Sequence, residues 1–189
     1  MKKLPIIFLL ALATLRLTAG ETLTGKPFFN GTNLSGWTPM NGGKFYVTNG
    51  QIRAEGGRGW LRTEQVFTNF VVELEWRGLE TNYNSGIFIR APLAGNPWAT
   101  NIWQINCKQT AIGELLEGSK KTVSVNAPSL PVGEWIKFRI EACGRDLSLD
   151  VNGRSAWTFS EFSPSSGFIG LQAEGKSCEF RNLLIRSLP

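Results

Sequence analysis

Apolar and polar residues alternate with a period of two along most of the chain after residue 20. In segment 70–77, Phe70 and its alternate residues Val72, Leu74 and Trp76 fall on one face, and Glu73, Glu75 and Arg77 fall on the other. Segment 136–142 alternates in the same way. This period is typical of strands with one buried face, and no segment beyond residue 20 sustains a helical period. The pattern therefore predicts an all-β protein.

Tight turns separate the predicted strands. Asn49-Gly50 lies between segments 45–48 and 51–54, and Asn152-Gly153 follows segment 147–151. Asn-Gly between two alternating segments is typical of two-residue β-hairpins, because both residues adopt positive φ easily. Many short strands and 21 glycines predict a single-domain β-sandwich or barrel. Segments 91–98 and 118–131 are expected to leave the sheets as loops, where binding residues are common.

The first 20 residues have the composition of a bacterial export signal. Two lysines precede an apolar stretch, residues 4–13, that is too short to span a bilayer, and small residues follow it. We therefore expect a cleaved signal peptide over residues 1–20 and one domain over residues 21–189. The protein is then secreted or periplasmic. A membrane-anchored N-terminus is the alternative.

Cleavage of that segment changes the charge balance. The full chain carries 20 basic and 15 acidic residues; three of the basic residues lie in residues 1–20, so 17 remain against 15. The remaining basic residues are scattered, apart from the pair at 120–121. We therefore expect no nucleic-acid partner and, after cleavage, no membrane partner. The sequence does not predict the oligomeric state.

The chain has three cysteines and no histidine. The absence of His excludes His-based catalytic triads and removes the commonest zinc ligand. An exported compartment permits one disulfide among Cys107, Cys143 and Cys178. Cys143 with Cys178 is the favoured pair because both lie at the ends of predicted strands. Buried free thiols are the alternative.

Tryptophans and polar strand residues are the candidates for ligand binding. Trp37, Trp76 and Trp135 fit core positions. Three others lie beside Gly, Pro, Asn or Gln, as expected of rings that stack on a sugar: Trp60, Trp98 and Trp103. Amide, carboxylate and guanidinium groups that bind hydroxyl groups occupy non-core positions: Glu73, Glu75, Asn84, Arg90, Gln104, Asn106 and Glu114. The alternative for these residues is a solvated face of cross-strand ion pairs.

Segments spread over the whole chain beyond residue 20 resemble one protein family. Segment 28–37 resembles the family's opening LFNGKDLSGW, segment 84–90 its NSGIFFR, and segment 133–135 its GEWN. Segments 167–172 and 180–182 resemble its closing G.IGLQ and FRNI. The family is the 3-keto-disaccharide hydrolase domain. The resemblance implies a concanavalin A-like jelly-roll β-sandwich of two antiparallel sheets.

The resemblance also implies chemistry on 3-keto-glycosides. A ketone at C3 acidifies the C2 proton; a base removes this proton, the C1 substituent leaves, and hydration completes a net hydrolysis. Arg90 closes the family's signature strand, and Glu75 and Glu114 are the expected catalytic partners, with a divalent metal ion as a possible cofactor. Gln104 matches the family's YE.QI.D segment, in which this chain has Trp103 and Asn106 where the family usually carries acids.

Two functions follow from these observations. The first is an exported glycoside hydrolase-like enzyme whose catalytic residues are Glu75, Arg90 and Glu114. The second is a non-catalytic carbohydrate-binding domain on the same scaffold. In either case the expected substrate-binding residues are Glu73, Asn84, Trp98, Trp103, Gln104 and Asn106. A structural or adhesive module is a third possibility without a specific feature in its favour. We favour the enzyme, because the resemblance spans the chain beyond residue 20.

Overall fold

The computed structural model describes residues 27–93, 102–125 and 130–189. These residues form fourteen strands and no helix, which confirms the predicted all-β class. Accordingly, this part of the chain contains no helix able to cross a membrane. The strands are β1 (Trp37–Met40), β2 (Phe45–Thr48), β3 (Gln51–Ala54), β4 (Arg58–Thr63), β5 (Phe70–Gly78), β6 (Gly86–Ala91), β7 (Trp103–Asn106), β8 (Leu115–Glu117), β9 (Lys120–Val123), β10 (Ile136–Cys143), β11 (Asp146–Val151), β12 (Arg154–Phe159), β13 (Phe168–Glu174) and β14 (Cys178–Ser187).

The strands are arranged in two seven-stranded antiparallel sheets. Sheet 1 has the order β1-β4-β13-β6-β7-β8-β9, and sheet 2 has the order β12-β11-β10-β5-β14-β3-β2. One apolar core lies between them and takes alternate residues from each strand, such as Trp76 from β5 and Ile87 and Ile89 from β6. Complete burial of such a side chain contributes about 1.5–3 kcal/mol. Each sheet therefore has an inner face in the core and an outer face.

The two predicted hairpins are confirmed. Thr48 pairs with Gln51 across the first turn, and Val151 pairs with Arg154 across the second. Asn49 and Gly50 have φ of 50° and 74°, and Asn152 and Gly153 have φ of 50° and 76°. Both central residues thus lie in the left-handed region, as a type I′ turn requires.

One predicted loop is corrected. Within segment 118–131, residues 120–123 form β9, which pairs with β8 and closes one edge of sheet 1. The strand is short and begins with two lysines, a composition typical of protected sheet edges. Of the other predicted loop, only residues 91–93 are described. The signal peptide predicted over residues 1–20 lies outside the described residues.

The three cysteines are free: Cys107 and Cys178 are buried and Cys143 is exposed. Cys178 pairs with Gly78 at one end of β5. Cys143 lies at the other end, one residue after Ala142, which pairs with Phe70. Eight residues of strand span roughly 26 Å, whereas a disulfide needs Cα atoms within about 7 Å. The favoured pair, Cys143 with Cys178, is therefore wrong, and the alternative of buried free thiols describes two of the three.

Candidate functional site

Polar side chains from several strands meet on the outer face of sheet 1. Alternation along β7 turns Trp103 and Ile105 into the core, so Gln104 and Asn106 project outward, as the sequence predicted. The neighbouring strands contribute further polar groups on the same side. We call the whole set the polar face; it consists of Arg58, Asn84, Gln104, Asn106, Glu114, Lys121, Gln172 and Glu174.

A chain of hydrogen bonds crosses the polar face. Gln104 Nε2 donates to Gln172 Oε1 at 2.8 Å, and Gln172 Nε2 donates to Glu174 Oε2 at 2.9 Å. The same Oε2 accepts from Asn84 Nδ2 at 2.9 Å, and Arg58 Nη2 lies 3.5 Å from Glu174 Oε1. Gln104 and Gln172 are 8% and 1% exposed. The amides are therefore fixed in orientation before any ligand binds.

An ion pair lies beside this network. Glu114 Oε1 is 2.6 Å from Lys121 Nζ, and the two side chains are 7% and 52% exposed. The backbone N–H of Asn106 donates to the backbone oxygen of Glu114 at 2.8 Å, which places these residues side by side on the polar face. A largely buried carboxylate thus meets an ammonium group that extends to solvent. Such a pair can exchange a proton with a ligand and interact with a developing negative charge.

An apolar cluster adjoins the polar face on the same side of sheet 1. Trp60 packs edge-to-face on Phe88, with ring centroids 5.6 Å apart, and Ala91 and Ile102 complete the cluster. Trp60 Nε1 donates to Asn41 Oδ1 at 3.0 Å, and Trp60 is only 2% exposed. Trp60 therefore lies on the same side of sheet 1 as the polar face, but its ring is packed rather than open. Trp98 lies outside the described residues.

The structure corrects the expectation for Trp103. Its ring lies in the core, 4% exposed, and its centroid is 5.3 Å from that of Phe159 and 5.4 Å from that of Phe162. Strand alternation explains this position, because the residue beside an outward Gln104 must point inward. Trp103 therefore stabilises the sandwich and is not presented as a stacking surface.

Glu73 and Glu75 lie on the outer face of sheet 2, on the opposite side of the sandwich from the polar face. Glu73 is 3% exposed and pairs with Lys137 Nζ at 2.9 Å and Arg139 Nε at 3.7 Å. Arg181 stacks on the ring of Trp135 on the same face, with 3.9 Å between its Cζ and the ring centroid. Trp135, predicted as a core residue, is thus only partly buried. The alternative of cross-strand ion pairs describes this face.

Glu75 has the contacts of a structural carboxylate. Arg181 Nε donates to its Oε2 at 2.7 Å, and Asn182 Nδ2 donates to its Oε1 at 3.0 Å. Burial acts to raise the pKa of Glu75, but the two hydrogen bonds and the charges of Arg181 and Lys137 outweigh it, so the pKa is lowered. A carboxyl group held in its ionised form by these partners is poorly suited to deliver a proton.

Arg90 lies at one end of the sandwich, away from both outer faces. Its guanidinium donates to the backbone oxygens of Thr68 at 2.6 Å and of Gly144 and Pro164 at 2.7 Å each. The residue is 1% exposed, and its Cζ lies 5.1 Å from the ring centroid of Phe162. The side chain connects three loops, and this position leaves its donors occupied by the protein rather than by a ligand.

The structure therefore separates the sequence-predicted candidates into groups. It brings together Asn84, Gln104, Asn106 and Glu114, and it places Glu73, Glu75, Arg90 and Trp103 elsewhere. Four members of the polar face were missed: Arg58, Lys121, Gln172 and Glu174. The alternation in segment 170–174 places Gln172 and Glu174 on one face. However, nothing local indicates that β13 lies next to β6.

The sequence matches an established family along most of its length. The family model for the 3-keto-alpha-glucoside-1,2-lyase-like domain matches residues 24–186. The chain belongs to this family. The family inferred from the resemblance is thereby confirmed. No curated protein matches the sequence.

Solved structures similar to this member of the family include carbohydrate-related proteins. A candidate glycosyl hydrolase from Parabacteroides distasonis is 23% identical, with a TM-score of 0.71 over 86% of this chain and 98% of that chain. A second one from the same organism is 19% identical, with a TM-score of 0.70 over 85% and 92%. The carbohydrate-binding module CBM66 from Bacillus subtilis is 17% identical, with a TM-score of 0.68 over 80% and 96%. These likenesses confirm the predicted jelly-roll fold, and the family supports a carbohydrate-related function.

The residues that the structure describes do not form a metal centre. Within residues 27–93, 102–125 and 130–189, no group of three or more His, Cys, Asp or Glu side chains could hold a metal ion. The two carboxylates of the polar face, Glu114 and Glu174, already pair with Lys121 and Arg58. We therefore derive no step through a metal ion for this member of the 3-keto-alpha-glucoside-1,2-lyase-like family.

Proposed function

We propose that this protein acts on 3-keto-glycosides at the polar face of sheet 1. The reaction removes the C2 proton, expels the C1 substituent and hydrates the resulting double bond. The observation that carries the proposal is the ion pair of Glu114 with Lys121 at 2.6 Å, beside the amide of Asn106. The family supplies the substrate class, and the pair supplies the groups that this chemistry needs.

Glu114 and Lys121 have complementary roles in this proposal. Glu114 is the general base that takes the C2 proton, and it returns the proton to the departing C1 oxygen. Lys121 moves its ammonium toward the C3 oxygen, where negative charge develops as the enolate forms.

The charges of the polar face favour a neutral sugar. Its two carboxylates, Glu114 and Glu174, are balanced by Lys121 and Arg58. The remaining groups are amides, which supply both donors and acceptors to hydroxyl groups. A glycoside without a carboxylate or sulfate therefore matches this face best.

Turnover of 4-nitrophenyl 3-keto-α-D-glucopyranoside, measured with and without added divalent cations, tests the proposal. We expect release of 4-nitrophenol, and Glu114→Gln lowers kcat by about 100-fold or more, as expected for loss of a general base. Lys121→Ala lowers kcat as well. Lys120→Ala, the exposed neighbour on β9, and Glu75→Gln on sheet 2 are the matched controls and leave kcat unchanged. Equal losses for Glu114→Gln and Glu75→Gln would contradict this assignment.

A non-catalytic carbohydrate-binding domain is the second candidate. The rigid network of Gln104, Gln172 and Glu174 favours it, because pre-oriented amides bind hydroxyl groups without further ordering. Calorimetric titration with methyl α-D-glucopyranoside tests it. Binding that is weakened by Gln104→Ala, together with no release of 4-nitrophenol under any condition, would establish this function instead of the first.

We also propose that the protein is exported from a bacterial cell. The charged start, the apolar stretch and the small residues within residues 1–20 support this proposal. N-terminal sequencing of the protein from the periplasm or medium of expressing cells tests it. The expected N-terminus follows Ala19 or Gly20, whereas an intact N-terminus in the cytoplasm would contradict export.

A further inference from the structure

Asn84 and Ser85 hydrogen-bond to residues of the network on the polar face, and Gly86 follows them as the first residue of β6. Asn84 Nδ2 donates to Glu174 Oε2 at 2.9 Å. The backbone oxygen of Ser85 accepts from Gln104 Nε2 at 3.3 Å, and Ser85 Oγ donates to the backbone oxygen of Gln172 at 2.8 Å. The segment that leads into β6 thus contacts Glu174, Gln104 and Gln172.

Gly86 provides the space in which the side chain of Gln104 lies. A Cβ atom on Gly86 would lie 2.0 Å from Nε2, 2.5 Å from Cδ and 2.6 Å from Cγ of Gln104. Gly86 and Asn106 are direct partners in the β6–β7 ladder, and β6 separates β7 from β13. Gln104 therefore reaches Gln172 by crossing β6 directly over Gly86. A side chain at position 86 would block this path.

This arrangement fixes which atom of Gln104 remains for a ligand. Both hydrogens of Nε2 are used, one toward Ser85 and one toward Gln172. Its Oε1 receives no hydrogen bond from the described residues. Gln104 therefore presents an acceptor, which matches a hydroxyl group of a sugar.

We propose that Gly86 is a positioning residue of the sugar site, which holds Gln104 so that its Oε1 accepts a hydrogen bond from a sugar hydroxyl. This inference rests on the proposed function, because it needs the polar face to bind sugar. It assigns a physical role to the Asn84-Ser85-Gly86 segment. Asn84 and Ser85 anchor Glu174, Gln172 and Gln104, and Gly86 leaves the space that Gln104 occupies.

A double-mutant cycle of Gly86→Ala and Gln104→Ala, followed by thermal unfolding, tests the positioning. Gly86→Ala lowers the midpoint of unfolding in the otherwise unchanged protein. The same substitution has little effect when Gln104→Ala is present, because the clashing atoms are gone. Gly170→Ala is the matched control: its Cβ would meet the ring of Trp60 at 2.3 Å, and Gln104→Ala does not relieve that clash. Equal destabilisation by Gly86→Ala in both backgrounds would overturn the inference.

Sugar binding provides the second measurement. Gly86→Ala raises the Kd for methyl α-D-glucopyranoside about tenfold, the loss expected for one misplaced hydrogen bond, and raises KM more than it lowers kcat. The double variant recovers stability but not affinity. Unchanged affinity in Gly86→Ala would overturn the positioning role even if the stability cycle behaves as expected. If the unmodified protein binds no sugar and turns over no 3-keto-glycoside, the proposed function itself fails, whatever the stability cycle shows.

Discussion

Replacement of Arg90 distinguishes a structural guanidinium from a catalytic one. Arg90 has a φ of 47° and lies at a β-bulge, where Phe168 is opposite Ala91 but Gly170 is opposite Phe88. The bulge turns the side chain away from the outer face of sheet 1 and toward the end of the sandwich. The variant Arg90→Ala removes the guanidinium and leaves the strand in place.

The expected loss of stability follows from the contacts of the guanidinium. It donates to three backbone oxygens at 2.6 Å to 2.7 Å and to Asn69 Oδ1 at 3.3 Å. A hydrogen bond from a charged group contributes about 1.5–3 kcal/mol, and water entering the space replaces part of each bond. The lower value for three short bonds gives a loss of about 4.5 kcal/mol in the free energy of unfolding. For a domain of this size the unfolding midpoint then falls by roughly 9–18 °C.

Chemical and thermal unfolding of Arg90→Ala, with turnover measured well below its own midpoint, provide the assay. Arg154→Ala, an exposed arginine on β12, is the matched control and changes stability by less than about 0.5 kcal/mol. Arg90→Lys keeps the charge but not the fork of donors, so it is also destabilised. We expect kcat of the folded Arg90→Ala protein to stay near that of the unmodified protein. An unchanged midpoint with turnover abolished would refute the structural role and restore Arg90 to the site.

The remaining predictions concern the thiols, sheet 2 and the core. Burial raises the pKa of Cys107 and raises that of Cys178 to about 11, so a disulfide reagent should titrate Cys143 alone in the native protein and all three after unfolding. Reaction of more than one thiol in the native state would contradict this. The pKa of Glu75 is lowered on folding from its ordinary value of 4.5, so its stabilisation is present above that value and is lost as pH falls through the folded pKa. Denaturant titrations at pH values above and below 4.5 should therefore show that the free energy of unfolding falls less on acidification in Glu75→Gln than in the unmodified protein. Trp103→Ala should destabilise the sandwich by about 3–5 kcal/mol in the same titration, and loss of sugar affinity without loss of stability would show that its ring contacts ligand.

The strands and tight turns follow from local patterns and were predictable from the sequence. In β5 the alternation extends from Val72 to Arg77, and the core between the sheets contains Phe70, Val72, Leu74 and Trp76. The Asn-Gly turns at 49–50 and 152–153 fix both hairpins, because few residue pairs adopt positive φ at both positions. Strand β9 was missed because a four-residue edge strand with two lysines has too short a pattern to indicate pairing.

The site was predictable only where one strand determines it. Alternation in β7 fixes Gln104 as outward, and in the same step it fixes Trp103 as inward. Two other properties of the site depend on contacts distant in sequence. The placement of β13 beside β6 brings Gln172 to Gln104, and the bulge opposite β13 redirects Arg90. Neither the strand order nor the bulge appears in a pattern of period two, so Gln172 was missed and Arg90 was assigned to the site.

The two outer faces show why the same residue types have different roles. On sheet 2, Glu73 and Glu75 face basic residues on the adjacent strands, so the partners are direct neighbours and the charges are paired by the fold itself. On sheet 1, Gln104 crosses a glycine to reach Gln172, so its hydrogen bond depends on the absence of a side chain between them. A face built from adjacent ion pairs forms wherever such strands pair. A face that needs one glycine between two amides is far more restrictive, and this restriction supports the proposed sugar site on sheet 1.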